Sequence, residues 1–312
     1  MKRLTVNLDL PPEERWSFLS KYKQDIDELI AYYLNDLIDV GFFEGIIDSY
    51  KNNFIKPSYI KELDSIASIS EFSTNQILIA NLYYDALKLV FGCTSFAIEG
   101  SEAPYHARNL DWWSKNDDLR TKTKIFDFVK NGEVLFSGIG WAGFIGVFSG
   151  IKNGAYSVTL NAVSSNEPPN LAPPVTFLLR DVLEEEKQFD KAGQRLSETA
   201  IASDCLLMLV GTNKEELIVI ERTPTKHEIR KPENGVIVAT NDYKILKDEK
   251  LGNDILQETS CGRYNRVLEL VSQSPPKTAN DYLDILQDDK VKMNITMQQM
   301  VLNPSEGTIL LY

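Results

Sequence analysis

The sequence predicts an α+β protein built in layers, with helices covering β-sheets. Two observations support this. Apolar residues in roughly the first 90 positions mostly follow helical spacing, and the chain after Cys93 alternates short strands with glycine-rich turns. The 312 residues are 43% hydrophobic and 25% charged, a composition typical of globular proteins, which excludes a disordered or fibrous chain.

The first part of the chain contains one predicted strand and several predicted helices. Leu4, Val6, Leu8 and Leu10 alternate with polar residues, and two prolines then end the strand. Apolar residues next recur every three or four positions, as in an amphipathic helix. The predicted strand covers 4–10, and the predicted helices cover 13–37, 56–68 and 74–90.

After Cys93 the apolar residues alternate over short runs, which is typical of strands, and three longer runs have helical spacing. A hairpin is predicted at the end of the chain. The predicted strands are 94–98, 105–110, 124–128, 134–137, 146–149, 155–160, 205–210, 217–222, 235–239, 292–300 and 307–312, and the predicted helices are 175–185, 189–198 and 262–271.

Composition excludes several classes of partner. The 33 Lys and Arg against 45 Asp and Glu give a net charge of −12, so we expect no nucleic-acid partner. The two histidines and three cysteines show no metal-ligand spacing, so neither a metal nor a cofactor is expected. The apolar stretch 76–98 is interrupted by polar residues, and the opening residues do not form a signal peptide, so a cytoplasmic location is expected.

Cys93 begins a predicted strand directly after Gly92, and a lone cysteine there is ordinarily a small buried hydrophobe. The next strand, 105–111, returns beside it as a hairpin. Strand alternation then puts Arg108 on the same face as Cys93, within roughly 5–8 Å, where a guanidinium favours the reactive thiolate. Asp111 points to the opposite face of the strand from Arg108, so it reaches Cys93 only if the chain bends there. Taken alone, Asp111 is equally well interpreted as a turn residue.

Cys-Thr-Ser at 93–95 with Arg-Asn-Leu-Asp at 108–111 resembles the acid ceramidase and N-acylethanolamine acid amidase family, in the choloylglycine-hydrolase branch of the N-terminal-nucleophile hydrolases. This resemblance implies a four-layer αββα fold with a helical N-terminal segment. Further segments fit the family in the same order along the chain: 6–12 with Arg15-Trp16, 146–150, 157–161, 210–212 and 240–243.

The resemblance implies a precursor that cuts its own Gly92–Cys93 bond. Residues 1–92 would be the helical precursor segment, or small subunit, and 93–312 the catalytic large subunit of 312 − 92 = 220 residues, held together non-covalently. Gly92 has no Cβ, which leaves its carbonyl open to attack. The freed α-amine of Cys93, with an ordinary pKa near ~8, can serve as general base for its own thiol.

The family pattern also assigns roles to further residues. Arg108 would steady the thiolate, Asp111 would hold the α-amine, and Asn161 and Asn241 would donate to the oxyanion, although strand-end asparagines are ordinarily turn residues. Arg266 is the alternative to Arg263 as the family's late arginine. The implied catalytic set is Cys93, Arg108, Asp111, Asn161, Asn241 and Arg263.

Two features depart from the family. Ala162 and Val163 stand where the animal enzymes carry an acidic residue and an arginine, which weakens any inference about head group or acidic optimum. No cysteine precedes Cys93 to form a disulfide between the subunits, so Cys205 and Cys261 are interpreted as core or incidental thiols.

The implied reaction is hydrolysis of an N-acyl lipid amide, ceramide-like or N-acylethanolamine-like, through a thioester. A bile-salt or penicillin V type acylase and a non-catalytic lipid-binding relative remain alternatives. Phe42-Phe43 with Ile46-Ile47 is also a candidate for transient contact with a membrane or lipid aggregate. The candidate acyl-binding aromatics, each equally at home in a core, are Trp112, Trp113, Trp141, Phe144, Phe42 and Phe43.

Overall fold

The structure is a computed structural model that describes residues 2–37, 40–86, 92–99, 104–112, 118–246 and 255–312. Its helices are α1 Lys23–Asp36, α2 Val40–Phe54, α3 Pro57–Ala67, α4 Thr74–Asn81, α5 Tyr83–Ala86, α6 Asp118–Lys122, α7 Val175–Glu185, α8 Phe189–Glu198, α9 Ile255–Gln273 and α10 Ala279–Gln287. Its strands are β1 Arg3–Asn7, β2 Gly92–Ile98, β3 His106–Asp111, β4 Lys124–Lys130, β5 Glu133–Gly140, β6 Ser149–Lys152, β7 Tyr156–Asn161, β8 Cys205–Gly211, β9 Leu217–Arg222, β10 His227–Arg230, β11 Val236–Ala239, β12 Thr296–Asn303 and β13 Thr308–Leu311.

The described strands form two sheets. The large sheet has the order β1-β4-β5-β6-β7-β8-β9-β10, and the small sheet has the order β11-β2-β3-β12-β13. β1 joins the large sheet parallel to β4, whereas the other neighbouring pairs are antiparallel. The N-terminal segment therefore supplies an edge strand to a sheet that is otherwise built from the second part of the chain.

The sheets pack face to face, with helices on both outer sides. β2 and β3 contact β7 across the interior, α7 and α8 cover the large sheet, and α9 and α10 cover the small sheet. Apolar clusters fill each of these spaces. The predicted four-layer αββα fold is confirmed.

Local differences from the predicted elements have physical causes. Residues 12–22 form 3-10 turns instead of the start of a helix, because two prolines and Trp16 shape the entry to α1. The strand predicted at 146–149 begins only at Ser149, after a run that packs against α7. α2, α6, α10 and β10 were not predicted, although Thr278 and Asp281 form a capping box that signals the start of α10.

The N-terminal helices pack against the outer side of the large sheet and against α7. Asn81 on α4 contacts the connection between β5 and β6, where its side chain donates to Gly143 O and accepts from Ile145 N. In the part of the chain that is described, no helix combines the length and apolar character needed to cross a membrane.

Candidate active site

Strand β2 points alternate side chains to opposite faces of the small sheet, and Cys93 faces the space between the two sheets. Arg108 lies on the same face, opposite Ser95 in the β2–β3 register, while Leu110 lies opposite Cys93. Cys93 is 1% exposed, and its Sγ lies 3.4 Å from Arg108 Nη2. A fully buried thiol and a fully buried guanidinium are therefore in direct contact.

Arg108 is held by neutral oxygen atoms. Its Nη1 donates to Phe148 O at 2.7 Å and to Ser149 Oγ, and its Nη2 donates to Leu160 O at 2.6 Å. Among the described residues, no carboxylate lies within 4 Å of this guanidinium. The positive charge next to the sulfur is thus fixed in place but not neutralised, so it stabilises negative charge that develops on Cys93.

The other face of the small sheet carries the carboxylate of the site, which belongs to Asp111 at the end of β3. Asp111 lies opposite Gly92, and its Oδ1 accepts a hydrogen bond of 2.5 Å from Thr296 Oγ1. Its Oδ2 is buried without a hydrogen-bond partner among the described residues. Burial raises the pKa of Asp111 above its usual value, while the nearby Arg263 works in the opposite direction.

Gly92 is required by close packing rather than by backbone dihedrals. A Cβ at this position would lie 2.7 Å from Met293 Sδ and 3.0 Å from Asp111 Cβ. A side chain there would have to push the carboxylate of Asp111 away. The residue before Cys93 therefore leaves room for Asp111 beside the Gly92–Cys93 bond.

Arg263 on α9 joins the two faces of the site. Its Nη1 donates to Cys93 O at 2.5 Å and to Thr94 Oγ1 at 2.9 Å, and Nη2 donates to Asn241 Oδ1 at 2.7 Å. Nη1 also lies 3.9 Å from Asp111 Oδ2, and burial lowers the pKa of the guanidinium. The alternative, Arg266, instead pairs with Asp288 and Glu269 near the surface.

The two asparagines lie at the site but use their amides to tie the strand ends together. Asn241 Oδ1 accepts from the backbone N of Cys93 at 3.0 Å, and its Nδ2 donates to Ala162 O at 2.7 Å. Asn161 Nδ2 donates to both Ala239 O and Thr240 O. Donation to an oxyanion stays a prediction for both residues, and for Asn161 it requires release of one of these carbonyls.

The aromatic candidates for acyl binding lie in the main core. Trp112 and Trp141 are 2% and 1% exposed, and Phe144 stacks on Phe148 with ring centres 4.8 Å apart. A substrate role for them stays a prediction. Trp113 and the side chains of Phe42 and Phe43 lie outside the described residues.

The predicted membrane-contact residues separate in the structure. Ile46 is 43% exposed, whereas Ile47 is buried. The expectation that both would face a lipid surface is therefore wrong for Ile47, because it lies on the side of α2 that enters the core.

Sequence reasoning named Thr94 and Ser95 in the family motif without giving them a role, and it missed Ser149 and Thr296, which also shape the site. Inward-facing polar residues on otherwise apolar strands were the available signal. Cys205 is buried and Cys261 is exposed, and both thiols are free. Within the described ranges, no group of three or more His, Cys, Asp or Glu side chains is placed to hold a metal ion.

The four-layer fold with a cysteine at the start of an inner strand defines the class of N-terminal-nucleophile hydrolases. A family model described as acyl-coenzyme A:6-aminopenicillanic acid acyl-transferase matches residues 98–311, and the model for the beta subunit of N-acylethanolamine-hydrolyzing acid amidase matches residues 1–42. The chain belongs to the family of acid ceramidase and N-acylethanolamine acid amidase.

Individual relatives agree with this assignment. The chain is 28% identical over 250 residues to acid ceramidase of Balaenoptera acutorostrata scammoni, covering 70% of this chain and 62% of that protein. It is 32% identical over 239 residues to N-acylethanolamine-hydrolyzing acid amidase of Caenorhabditis elegans, covering 70% and 66%. The solved structure of a Caenorhabditis elegans ortholog of N-acylethanolamine-hydrolyzing acid amidase superposes with a TM-score of 0.59 at 26% identity, covering 68% of this chain and 93% of that one.

Proposed function

We propose that this protein is a self-processing cysteine amidase that hydrolyses the amide bond of N-acyl lipids, ceramide-like or N-acylethanolamine-like. The observation that carries the proposal is the contact of 3.4 Å between Cys93 Sγ and the un-neutralised guanidinium of Arg108. The names of the relatives, acid ceramidase and N-acylethanolamine-hydrolyzing acid amidase, support the class of substrate.

Self-processing begins with attack of Cys93 Sγ on the carbonyl carbon of Gly92. The C–N bond to Cys93 breaks, the Gly92 acyl group passes to sulfur as a thioester, and the Cys93 nitrogen takes up a proton. Water then hydrolyses the thioester and restores the thiol. Residues 1–92 and 93–312 would become separate chains, with Cys93 as the new amino terminus.

The new terminus would supply the general base for turnover. The α-amine accepts the thiol proton, and the thiolate attacks the amide carbonyl of the substrate. The proton passes to the departing amine as the acyl group moves to sulfur, and water releases the fatty acid. Asp111 Oδ2, which has no hydrogen-bond partner in the described structure, is available to accept a hydrogen bond from the charged amine.

The two chains would stay together without a disulfide. β1 is hydrogen-bonded into the large sheet beside β4. Glu62 of the N-terminal segment forms a buried pair with Arg180 of α7, with both side chains fully buried and the atoms 2.6 Å apart. Arg15 and Trp16 donate to the same carboxylate, so the association combines sheet pairing with a shielded ion pair.

The decisive variant is Cys93→Ala, which removes the nucleophile and leaves the surrounding strands in place. We expect it to abolish both chain cutting and release of fatty acid. Cys261→Ala, which removes an exposed thiol, is the matched control and should behave like the unaltered protein. Hydrolysis of N-acyl lipids by the Cys93→Ala protein would refute the mechanism.

A substrate panel tests the lipid assignment separately. Its members are N-palmitoylethanolamine, a short-chain ceramide, a glycine-conjugated bile salt and penicillin V. Faster release of fatty acid from the first two supports the proposal, while preference for the bile salt or penicillin V indicates the acylase alternative. An uncut chain that is inert toward all four indicates a lipid-binding relative.

A further inference from the structure

A line of polar side chains crosses the space between the two sheets beside the proposed nucleophile. Ser95 on β2 and His106 on β3 face Ser157, Thr159 and Asn161 on β7. All five are buried, with at most 1% of each residue exposed. Polar groups in this position must satisfy one another, because the surrounding strands supply mainly apolar side chains.

The five side chains form one continuous series of contacts. The contacts, in order, are Ser157 Oγ to His106 Nδ1 at 3.0 Å, His106 Nε2 to Thr159 Oγ1 at 3.0 Å, Thr159 Oγ1 to Ser95 Oγ at 3.2 Å, and Ser95 Oγ to Asn161 Oδ1 at 2.9 Å.

One arrangement of hydrogens fills all four contacts. The Asn161 Oδ1 atom can only accept, so Ser95 must donate to it and must itself accept from Thr159. Thr159 has then used its single hydrogen, so it accepts from His106. His106 therefore carries its hydrogen on Nε2 and accepts from Ser157 at Nδ1.

The opposite tautomer fits less well. With the hydrogen on Nδ1, Ser157 would turn its hydroxyl to Val210 O, which lies 3.5 Å away. Thr159 would then donate to His106, and the contact of 3.2 Å between Thr159 and Ser95 would contain no hydrogen. That tautomer exchanges a hydrogen bond of 3.2 Å for one of 3.5 Å.

The series ends on the backbone that carries Asn241. Because Ser95 fixes the oxygen side of the Asn161 amide, its Nδ2 faces Ala239 O and Thr240 O at 3.0 and 3.1 Å. Asn241 follows directly and accepts from the backbone N of Cys93. The orientation of the Asn161 side-chain amide thus links His106 to the nitrogen of Cys93, which would become the α-amine.

The imidazole is kept neutral in this position. Burial lowers the pKa of His106 to about 3, and the charge of Arg108 acts in the same direction. Among the described residues no carboxylate contacts the ring, whose two nitrogens face hydroxyl groups. The direction of the hydrogen bonds is therefore constant across the physiological pH range.

We propose that His106, as its Nε2–H tautomer, is a positioning residue that sets the amide of Asn161 and, through the 239–241 backbone, the nitrogen of Cys93. The inference rests on the proposed function, since it assigns the nitrogen of Cys93 a part in the reaction. His106 would act without contacting substrate.

Nitrogen NMR tests the tautomer without any substrate. The protein has two histidines, so a His227→Gln, Cys93→Ala protein labelled with 15N-histidine gives the signals of one ring. We expect a protonated Nε2, an unprotonated Nδ1 and no change between pH 5 and 8. A protonated Nδ1, or titration inside that range, would overturn the assignment.

Kinetics test the consequence. Thr159→Val keeps the shape of the side chain and interrupts the series, whereas Thr159→Ser keeps the hydroxyl. We expect Thr159→Val to lower kcat about tenfold with KM within about twofold, and Thr159→Ser to stay within about threefold of the unaltered enzyme. Equal kcat values for the two variants would overturn the positioning role.

The two readouts separate this inference from the amidase proposal. If the unaltered protein hydrolyses none of the lipids, the proposed function fails while the NMR result still decides the tautomer. The NMR result also does not depend on the folding of the Thr159 variants.

Discussion

Two buried arginines show how the molecule treats charge in two different regions. Arg180, where the N-terminal helices meet α7, is paired with Glu62 through two hydrogen bonds of 2.6 and 2.8 Å. Arg108, between the sheets, has three backbone or hydroxyl oxygens and the Cys93 thiol as its neighbours. The first charge is neutralised and supports the fold, whereas the second is left available where negative charge is needed.

The carboxylates show the same division. Burial would raise the pKa of Glu62, yet the adjacent Arg180 lowers it below its usual value. In the described structure no cation lies within 4 Å of Asp85, and Arg263 lies 3.9 Å from Asp111. Burial raises the pKa of both carboxyl groups. Glu62, where the N-terminal helices meet α7, is thus a compensated carboxylate, whereas burial of Asp85 and Asp111 is compensated less completely.

The largest predicted effect on stability comes from Arg180→Met, which removes the fully buried partner of Glu62 and leaves that carboxylate with only Arg15 and Trp16 among the described residues. We expect the free energy of unfolding to fall by ~3–5 kcal/mol. Adding Glu62→Gln removes the stranded charge and keeps an acceptor for Trp16, so the double variant should recover most of this loss. Urea unfolding in the Cys93→Ala background measures both. A single variant as stable as the double variant would show that the pair is not energetically coupled.

Arg108→Met should have the opposite effect: a large loss of turnover and a small change in stability. We expect turnover to fall by roughly 10²–10³, the cost of removing one positioned donor from a site of developing charge. Stability should change by less than ~2 kcal/mol, because relief of an unpaired buried charge offsets the lost hydrogen bonds. Arg108→Lys keeps the positive charge, so its turnover should lie between that of Arg108→Met and that of the unaltered protein. If the turnover of Arg108→Met stayed within twofold of the unaltered protein, Arg108 would have no larger part in catalysis than Arg180.

The pH dependence of folding gives a smaller effect at Asp85. Burial raises its pKa from 3.8 to about 6, so the folded state binds the proton more tightly than the unfolded chain. Its contribution to stability is therefore lost progressively as the pH rises from about 4 to about 6, by up to ~3 kcal/mol, and is constant above that. Asp85→Asn should remove this dependence.

Asp289→Asn, a change at an exposed carboxylate, is the control for Asp85. Urea midpoints between pH 4 and 7 provide the comparison. If Asp85→Asn and Asp289→Asn show the same pH dependence, Asp85 is not held as an uncompensated carboxylate.

The smallest effects are expected at the two cysteines outside the site. Cys261→Ala should leave stability within ~0.5 kcal/mol and turnover unchanged, since the thiol is exposed. Cys205→Ala removes a buried sulfur and should cost somewhat more stability with turnover kept within about threefold. Loss of turnover in either variant would mean that Cys93 is not the sole reactive thiol.

The sequence was sufficient for features that depend on local pattern. The proximity of Cys93 and Arg108 follows from two neighbouring strands and their alternation, and the four-layer fold follows from the family resemblance. Thr278 and Asp281 also gave a local start signal for α10, although that helix was not predicted. α2 was harder to recognise because Gly41, Gly45 and two asparagines weaken its helical pattern.

Features that depend on distant packing were not predictable. His106 and Thr159 are 53 residues apart and meet only because the two sheets stack. Glu62 and Arg180 are 118 residues apart. The sequence reveals a charged or polar residue in such cases but not the partner that satisfies it, since the partner is fixed by the register and stacking of whole sheets.

The account depends on Cys93 becoming an amino terminus, and mass spectrometry with amino-terminal sequencing of the purified protein tests this most directly. We predict two chains, with the larger one of 220 residues (312 − 92) beginning at Cys93, and a single uncut chain for Cys93→Ala. An uncut chain that hydrolyses N-acyl lipids, or a cut at another bond, would contradict the account.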